Sequence, residues 1–251
     1  MSDYNKKIKN EKEWYNQKNK SRLVTKIFKN PVFWTDKRNS FNYIFPKIQM
    51  SKILEKKISQ KVDKLLIAPC GIGADLKYVE KYAKEIYGID ISPIAVKQTP
   101  AKMKTRIGDI LNSGYPEETF DIIVCPLFFH HLLNFSFEPF LMEFYRLLKK
   151  NGILIILEPS IFYPMNIITR PIKHLFKNPY GEVEDEGPFN PKLLLNNLRL
   201  VGFNNIELNA ASFSHCSFYI PLSKIVNIIT KPLLNSPFKY CGWLVLFSAE
   251  K

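Results

Sequence analysis

The alternation of apolar and polar positions divides the chain into an N-terminal helical region and a longer region of alternating strands and helices. Within residues 1–60, the stretches "EKEWYNQ" and "FPKIQMSKILEKKISQKV" carry apolar residues three and four positions apart, a spacing that predicts amphipathic helices. Pro31 and Pro46 are expected to break this region into separate pieces. We therefore expect residues 1–60 to form a helical cover that lies outside the sheet.

From Lys64 onward, short apolar runs predict buried strands that are separated by helical segments. The strands are predicted at "KLLIAP", "EIYGID", "TRIGD", "FDIIVCPL", "GILIILEP", "NNIELNA" and "CGWLVLFSAE". Helices are predicted at "ADLKYVEKYAK", "SPIAVKQTPAK", "FEPFLMEFYRLLKK" and "NPKLLLNNLRLVGF", with Ser92 and Asn190 as N-caps of the second and fourth. This order predicts an α/β fold with a Rossmann-like, doubly wound, mostly parallel seven-stranded sheet.

Two proline-rich stretches interrupt the regular alternation after the fifth and sixth predicted strands. They cover residues 161–190 and 211–240. We expect a single domain over residues 1–251, in which residues 61–160 form the ligand-binding core. The two inserts are expected to lie on the ligand side of the sheet and to build the pocket for a second ligand.

The loop after the first predicted strand has the features of a nucleoside site. The loop Pro69–Ala74 lies at the topological switch point, and Gly71 and Gly73 let the backbone turn sharply and approach a ligand. The following helix would present free N–H groups and the positive end of its dipole to a carboxylate or phosphate. Asp90 ends the second strand, where a carboxylate can accept hydrogen bonds from both ribose hydroxyls. The pattern therefore favours a ribose-containing ligand.

Dinucleotides and nucleoside triphosphates fit this loop less well. A dinucleotide fingerprint needs a third small residue where this chain has Leu76, because the helix must pack close to the diphosphate. A phosphate-binding P-loop needs Gly-Lys-Ser or Gly-Lys-Thr, and neither follows the glycines.

The motifs of the core resemble those of class I S-adenosylmethionine-dependent methyltransferases of the small-molecule type. "PCGIGAD" resembles the glycine-rich loop of that family, "YGIDIS" its ribose-binding strand end and "RIGDIL" its third motif. "FDIIVCPLFFHHL" resembles the fourth strand and the loop behind the methyl donor, and "FYRLLKKNGILIILEPS" resembles the helix, turn and strand that close the core. The resemblance covers about Lys64 to Ser160, and it implies methyl transfer with S-adenosyl-L-methionine as cofactor.

The resemblance also implies which residues contact the cofactor. Asp109 is expected near the adenine amino group. Because Ile67 stands where the family often has an acid, Asp75 is expected to reach back to the methionine amino group, with a first-turn acid that balances the helix dipole as the alternative. The full set of predicted cofactor-binding residues is Cys70, Gly71, Gly73, Asp75, Asp90, Ile91, Asp109 and Ile110.

Three histidines are candidates for the general base that an oxygen acceptor usually needs. His130 and His131 follow the fourth strand, and we expect only one of them to face the site because adjacent residues tend to point in opposite directions. Packing against the cofactor is the alternative role for this pair. His215, in the second insert, is a further candidate, and Phe218 and Tyr219 beside it are expected to sandwich a flat or greasy acceptor.

The net charge of +13 raises the question of a polyanionic partner. Much of the lysine lies within Lys6–Lys29, and no nucleic-acid-binding module is recognisable. In addition, "CPLFF" replaces the Asn/Asp-Pro-Pro-Tyr/Phe motif that enzymes methylating the amino groups of nucleic-acid bases carry after this strand. Nucleic acid is therefore an unlikely partner, although an RNA methyltransferase remains an alternative.

The cysteines and acidic residues indicate neither a disulfide framework nor a metal site. Cys70, Cys125, Cys216 and Cys241 are scattered without metal-ligand spacing, which predicts reduced thiols and a cytoplasmic protein. Glu182, Glu184, Asp185 and Glu186 could attract a cationic acceptor or a metal, but we interpret them as a solvated loop. We predict no metal.

Taken together, these patterns predict a methyltransferase that acts on a small molecule, with an oxygen of a saccharide or lipid-linked intermediate as the favoured acceptor. The stretch "SIFYPMNIITRPIKHLF" combines aromatic, aliphatic and basic residues, so it could contact a membrane surface or a lipid-like acceptor, with a packed lid as the alternative. A methyltransferase-like protein that binds the donor or a partner without catalysis also remains open. The oligomeric state is not predicted.

Overall fold

Two helices precede the sheet in the computed structural model, which describes residues 2–20, 36–169 and 186–251. Helix α1 spans Ser2–Lys20 and helix α2 spans Asp36–Lys57. Pro46 lies inside α2, so the prediction that it breaks this region is wrong. Met50 and Leu54 of α2 are fully buried against the sheet, and this packing outweighs the roughly 3 kcal/mol that a proline costs inside a helix. Pro31 lies outside the described residues.

A seven-stranded sheet forms the centre of the described structure. Its spatial order is β3-β2-β1-β4-β5-β7-β6, with parallel pairing from β3 to β5 and with β7 antiparallel to both β5 and β6. This confirms the predicted doubly wound, mostly parallel sheet. The strands are β1 Val62–Ile67, β2 Ala83–Asp90, β3 Met103–Ile107, β4 Phe120–Pro126, β5 Leu148–Pro159, β6 Asn204–Ser212 and β7 Leu244–Glu250.

The helices after β1 and β2 are shorter than predicted. Helix α3 (Leu76–Val79) passes into a 3₁₀ turn at Glu80–Tyr82 that leads to β2. Helix α4 (Pro93–Val96) ends shortly before Pro100, which disfavours helical geometry in the residue that precedes it. Ser92 and Asn190 cap α4 and α7, as predicted. The helices that follow α2 are α3 Leu76–Val79, α4 Pro93–Val96, α5 Glu138–Leu147, α6 Pro164–Thr169, α7 Pro191–Val201 and α8 Ile220–Ile229.

Helices and turns bury both faces of the sheet. On one face, the aromatic residues Phe120, Phe129 and Phe144 form the centre of a core to which α5 and α7 contribute. On the other face, Met50 and Leu54 of α2 belong to a second core that also contains Leu65 and Ile67 of β1. Burial on both faces explains why the central strands read as nearly continuous apolar runs.

The two proline-rich stretches contain more regular structure than the sequence pattern indicates. The first contains α6, and its residues 170–185, including His174, Glu182, Glu184 and Asp185, lie outside the described part of the chain. The second contains α8 and two short 3₁₀ turns. None of the four cysteines, all of which lie in the described residues, forms a disulfide bond. Among the described residues, no helix is long and apolar enough to cross a membrane.

Candidate functional site

The glycine-rich loop follows β1 at the point where the sheet order reverses between β1 and β4. Gly71 and Gly73 both have left-handed backbone conformations, with φ of +50° and +77°. A Cβ atom added at Gly71 would meet nothing within 4 Å, whereas one added at Gly73 would lie 2.7 Å from Cδ of Pro100. Gly71 therefore leaves open space beside the loop, and Gly73 allows the loop to pack closely on the chain that leads to β3.

Asp90, at the end of β2, holds this loop in place. Its Oδ2 accepts a hydrogen bond from the backbone N–H of Gly71 at 2.7 Å, and its Oδ1 accepts one from Ser92 at 2.9 Å. Burial raises the pKa of Asp90, and the two N–H groups act against that rise by favouring the ionised form. Because each carboxylate oxygen can accept a second hydrogen bond, Asp90 retains acceptor capacity for a ribose.

Asp109 lies under the N-terminal helix. Its Oδ1 caps the turn that begins at Ile110 by accepting the N–H of Leu111 at 3.1 Å, and it also accepts the hydroxyl of Tyr4 at 2.9 Å. The Tyr4 ring packs edge-on against Phe135 and Phe140, 5.7 and 5.5 Å between centroids. Helix α1 is therefore fastened to the part of the site where the resemblance places adenine.

Asp75 has a partner that neither of its predicted roles included. Its Oδ1 lies 2.9 Å from Nζ of Lys47, and both side chains are largely buried. The side chain caps no backbone N–H of α3, and α3 is a single turn with little dipole to balance. The pair therefore ties α2 to the glycine-rich loop, and it argues against the alternative role of a first-turn acid. Contact of Asp75 with the methionine amino group stays a prediction.

Two other predicted cofactor-binding residues are Cys70, which lies in the loop, and Ile91, which follows β2. Cys70 is buried against Gly88, where an added Cβ would come within 2.9 Å of its Cβ and Sγ atoms. Burial and the charge of Asp90 raise the pKa of the Cys70 thiol to about 12, so it stays neutral. Ile91 is half-buried immediately after β2. Cys70 thus contributes shape to the site and no thiolate chemistry.

Glu158 organises the turn that follows β4, although the sequence pattern did not single it out. This fully buried residue of β5 accepts the N–H groups of Phe128 and Phe129, each at 2.6 Å, and its Oε2 lies 2.9 Å from Nδ1 of His130. The signal was a carboxylate in the otherwise apolar strand "GILIILEP", since a buried charge requires partners.

His131 belongs to a buried ion-pair cluster. Its Nδ1 lies 2.6 Å from Oε1 of Glu186 and 3.3 Å from Oε1 of Glu11 in α1, whose carboxylate is in turn 3.1 Å from Nζ of Lys7. The rings of His130 and His131 lie only 4.1 Å apart. The expectation that they point in opposite directions is wrong, because they occupy a 3₁₀ turn and not an extended segment.

The charge state of His131 argues against the predicted general-base role. Burial by itself would lower its pKa, but hydrogen bonds and charge from Glu11 and Glu186 raise it to about 9. At neutral pH the imidazole is therefore protonated and has no lone pair with which to accept a proton. His131 instead fastens α1 and the segment at Glu186 to the turn after β4.

The same cluster brings three potential metal-ligand atoms, from Glu11, His131 and Glu186, within 4.8 Å of one another. The two carboxylates are already balanced by the imidazolium and by Lys7. A divalent cation would have to displace the proton from Nδ1 of His131, so the ion pairs account for this geometry without a metal.

We expect the His131 cluster to stabilise the protein in a pH-dependent manner. Because the folded-state pKa of His131 is raised from 6.5 to about 9, the stabilisation is complete below pH 6.5 and is lost as the pH rises through 9. Urea unfolding across this range should show that the free energy of unfolding of wild type exceeds that of His131→Gln by about 2–3 kcal/mol near pH 6.5. This difference should shrink as the pH rises through 9. His215→Gln is the matched control, because burial lowers the pKa of His215 to about 4. A difference between wild type and His131→Gln that is constant with pH would contradict the assignment.

His215 lies in an aromatic cluster beyond the ends of β5 and β6. Its ring is parallel to that of Tyr163 at 5.9 Å and lies 5.3 Å from Trp243, and its Nδ1 is 2.8 Å from Oγ of Ser217. Because burial lowers its pKa to about 4, the imidazole is neutral at pH 7. Tyr163 and Trp243 provide the nearest aromatic surfaces to His215, and the Phe218 ring lies 6.3 Å away. Tyr219 is largely exposed, and a sandwich of Phe218 and Tyr219 around the acceptor stays a prediction.

The model of the family described as "Methyltransferase domain" matches residues 66–156, a segment that contains the glycine-rich loop, Asp90, Asp109 and the two adjacent histidines. This segment is a class I S-adenosylmethionine-dependent methyltransferase domain. The methyl donor is S-adenosyl-L-methionine. The site fits this donor, since the space beside Gly71 and the remaining acceptor capacity of Asp90 suit a ribose.

Several solved structures share the fold of this methyltransferase. A possible histamine N-methyltransferase from Thermotoga maritima is 17% identical, with a TM-score of 0.61 over 85% of this chain and 91% of that one. A methyltransferase from Archaeoglobus fulgidus is 17% identical, with a TM-score of 0.56 over 82% and 94%. Phosphoethanolamine N-methyltransferase 2 from Haemonchus contortus is 15% identical, with a TM-score of 0.52 over 81% and 52%. No curated protein sequence matches the chain. At these identities the likeness shows the fold alone.

Proposed function

We propose that this methyltransferase acts on a small molecule, at an oxygen of a saccharide or lipid-linked intermediate. The observation that carries the small-molecule part is the position of α1. The hydroxyl of Tyr4 in α1 donates a hydrogen bond to Asp109, and the carboxylate of Glu11 in α1 contacts His131 in the turn after β4. A helix fastened across the donor side leaves access for a small acceptor and excludes water from the transferring methyl group, whereas a long RNA would need an open surface.

The neutral imidazole of His215 supports an oxygen acceptor. In the proposed step, the acceptor oxygen forms a bond to the methyl carbon while the bond between that carbon and the sulfonium sulfur breaks, which leaves S-adenosylhomocysteine. His215 takes the hydroxyl proton on Nε2, while its Nδ1–H donates to Oγ of Ser217. The adjacent rings of Tyr163 and Trp243 offer apolar surface to the acceptor. With its pKa near 4, His215 is deprotonated before each turnover at neutral pH.

An amine acceptor is the second candidate. Two of the similar structures are named for amine substrates, one as a possible histamine N-methyltransferase and one as a phosphoethanolamine N-methyltransferase. In this chain, Glu11 and Glu186 lie beside the turn after β4, where a cationic amine would have to take the place of Lys7 or of the His131 imidazolium as their partner.

Substitution of His215 separates its proposed role from donor binding. We expect His215→Gln to lower kcat about 100-fold or more while the affinity for S-adenosyl-L-methionine measured by calorimetry stays unchanged. Activity is followed by mass spectrometry of a metabolite extract incubated with donor carrying a ¹³C-labelled methyl group. The chemical shift of the labelled methyl in the product then distinguishes an oxygen acceptor from a nitrogen acceptor.

Each alternative function has its own outcome in the same experiments. Unchanged turnover in His215→Gln would remove the base role. Donor binding without any methylated product would favour a non-catalytic binding protein. RNA binding that weakens steeply with added salt, together with methylated RNA, would favour an RNA methyltransferase.

A further inference from the structure

Helix α8 has its apolar side chains outside and its polar side chains inside. Leu222, Ile225 and Ile229, spaced three and four residues apart on one face, are 46%, 54% and 69% exposed. On the opposite face, Ser223 and Asn227 are buried. A surface helix of a globular protein normally shows the reverse arrangement, with its apolar stripe toward the core.

Polar contacts hold α8 against the rest of the protein. Oδ1 of Asn227 accepts the hydroxyl of Ser212 at 3.1 Å, where β6 ends. The hydroxyl of Ser223 lies 3.5 Å from the carbonyl oxygen of Phe218. Because hydrogen bonds anchor the buried face, the exposed isoleucines and leucine are not needed to dock the helix. Their exposure is a property of the surface that requires a separate explanation.

Basic residues lie at the margin of this apolar face. We call Leu222, Ile225, Ile228 and Ile229 the α8 patch; Ile228 is also largely exposed. Lys224 lies beside the patch on α8, and Lys231 follows in the next turn, both exposed. The whole chain carries a net charge of +13. An apolar helical face bordered by lysines matches the interface of a membrane that contains anionic lipids, where apolar side chains enter the acyl boundary and lysines meet the headgroups.

We propose that the α8 patch binds the surface of an anionic membrane. The sequence pattern placed membrane contact in the first insert, whereas the structure places an exposed apolar helix in the second. Helix α8 begins close after His215, so a membrane-bound protein would have its aromatic cluster beside the bilayer. Delivery of a lipid-linked acceptor to that cluster is the only part that rests on the proposed function; the membrane contact itself stands on the α8 patch.

Vesicle flotation with the full-length chain tests the proposal. We expect wild type to float with vesicles of phosphatidylcholine and phosphatidylglycerol, and to bind pure phosphatidylcholine vesicles at least tenfold more weakly. Ile225→Ser with Ile229→Ser should reduce binding to the anionic vesicles tenfold or more, because two apolar side chains no longer enter the interface. Lys224→Gln with Lys231→Gln should reduce it about fivefold for each lysine removed.

The matched control is Leu200→Ser, which removes another exposed aliphatic side chain, 81% exposed at the end of α7. Leu200→Ser should bind vesicles as wild type does. The proposal is overturned if wild type does not float with anionic vesicles, or if both sets of α8 variants bind as strongly as wild type. It is also overturned if vesicle binding is absent and light scattering shows that wild type is a dimer, whereas the double variant Ile225→Ser with Ile229→Ser is a monomer. The patch is then an interface between copies of this chain. Donor binding measured on the same variants should be unchanged, which separates failure of this proposal from failure of the proposed function.

Discussion

Replacement of Asp90 by alanine is expected to weaken the binding of S-adenosyl-L-methionine by about 100-fold or more. The ribose would lose its charged acceptor, and each hydrogen bond to a charged group contributes roughly 1.5–3 kcal/mol. The substitution would also free the N–H of Gly71, which Asp90 holds at 2.7 Å, so the loop would lose the contact that fixes its position. Isothermal titration calorimetry with the purified chain measures the change directly.

Two further variants separate ribose binding from general damage to the protein. Asp63→Ala removes an exposed aspartate in β1 that is ion-paired with Lys84, near the opposite edge of the sheet, and it should leave the donor affinity unchanged. Asp90→Asn retains the shape of the side chain but not its charge, and it should bind the donor with intermediate affinity. Wild-type affinity in folded Asp90→Ala would refute the ribose assignment.

The fold followed from the sequence because its strongest signals are local and periodic. The apolar runs of β1, β4 and β5 are buried on both faces, and the N-caps Ser92 and Asn190 occupy the positions that their residue types predict. Element lengths were less predictable. Whether α2 continues through Pro46 depends on the packing of Met50 and Leu54 on the sheet, a contact with residues distant in the sequence.

The site was predictable only where its residues are close together in the sequence. Gly71 and Asp90 belong to one strand, helix and strand unit, and their spacing identified them. The contacts of Asp109 with Tyr4 and of His131 with Glu11 join residues more than a hundred positions apart, and no local pattern marks the partners. The raised pKa of His131 could not be predicted from the sequence either, because it depends on which carboxylates the fold brings close to the imidazole.

Replacement of Glu158 by alanine is expected to have the largest effect on stability. The carboxylate is fully buried and is the acceptor for the N–H groups of Phe128 and Phe129, which would be left without a partner. Loss of one member of a buried hydrogen-bonded charged group costs about 3–5 kcal/mol, so urea unfolding should show a decrease of that size. Glu158→Gln can keep an acceptor oxygen toward Phe128 and Phe129 but presents an amide N–H₂ to His130. Its free energy of unfolding should therefore decrease by about half as much as that of Glu158→Ala.

The control for this loss is Glu207→Ala, a glutamate in β6 that is more than half exposed and pairs with Lys57 at 3.4 Å. Exposed ion pairs contribute about 0–1 kcal/mol, so this variant should unfold nearly as wild type does.

Glu158 also holds the turn that carries His130 and His131. The kcat of folded Glu158→Ala at saturating donor should therefore be lower than that of wild type. If Glu158→Ala and Glu207→Ala lose the same small amount of stability, the buried carboxylate does not hold the turn after β4, and the position of both histidines must have another cause.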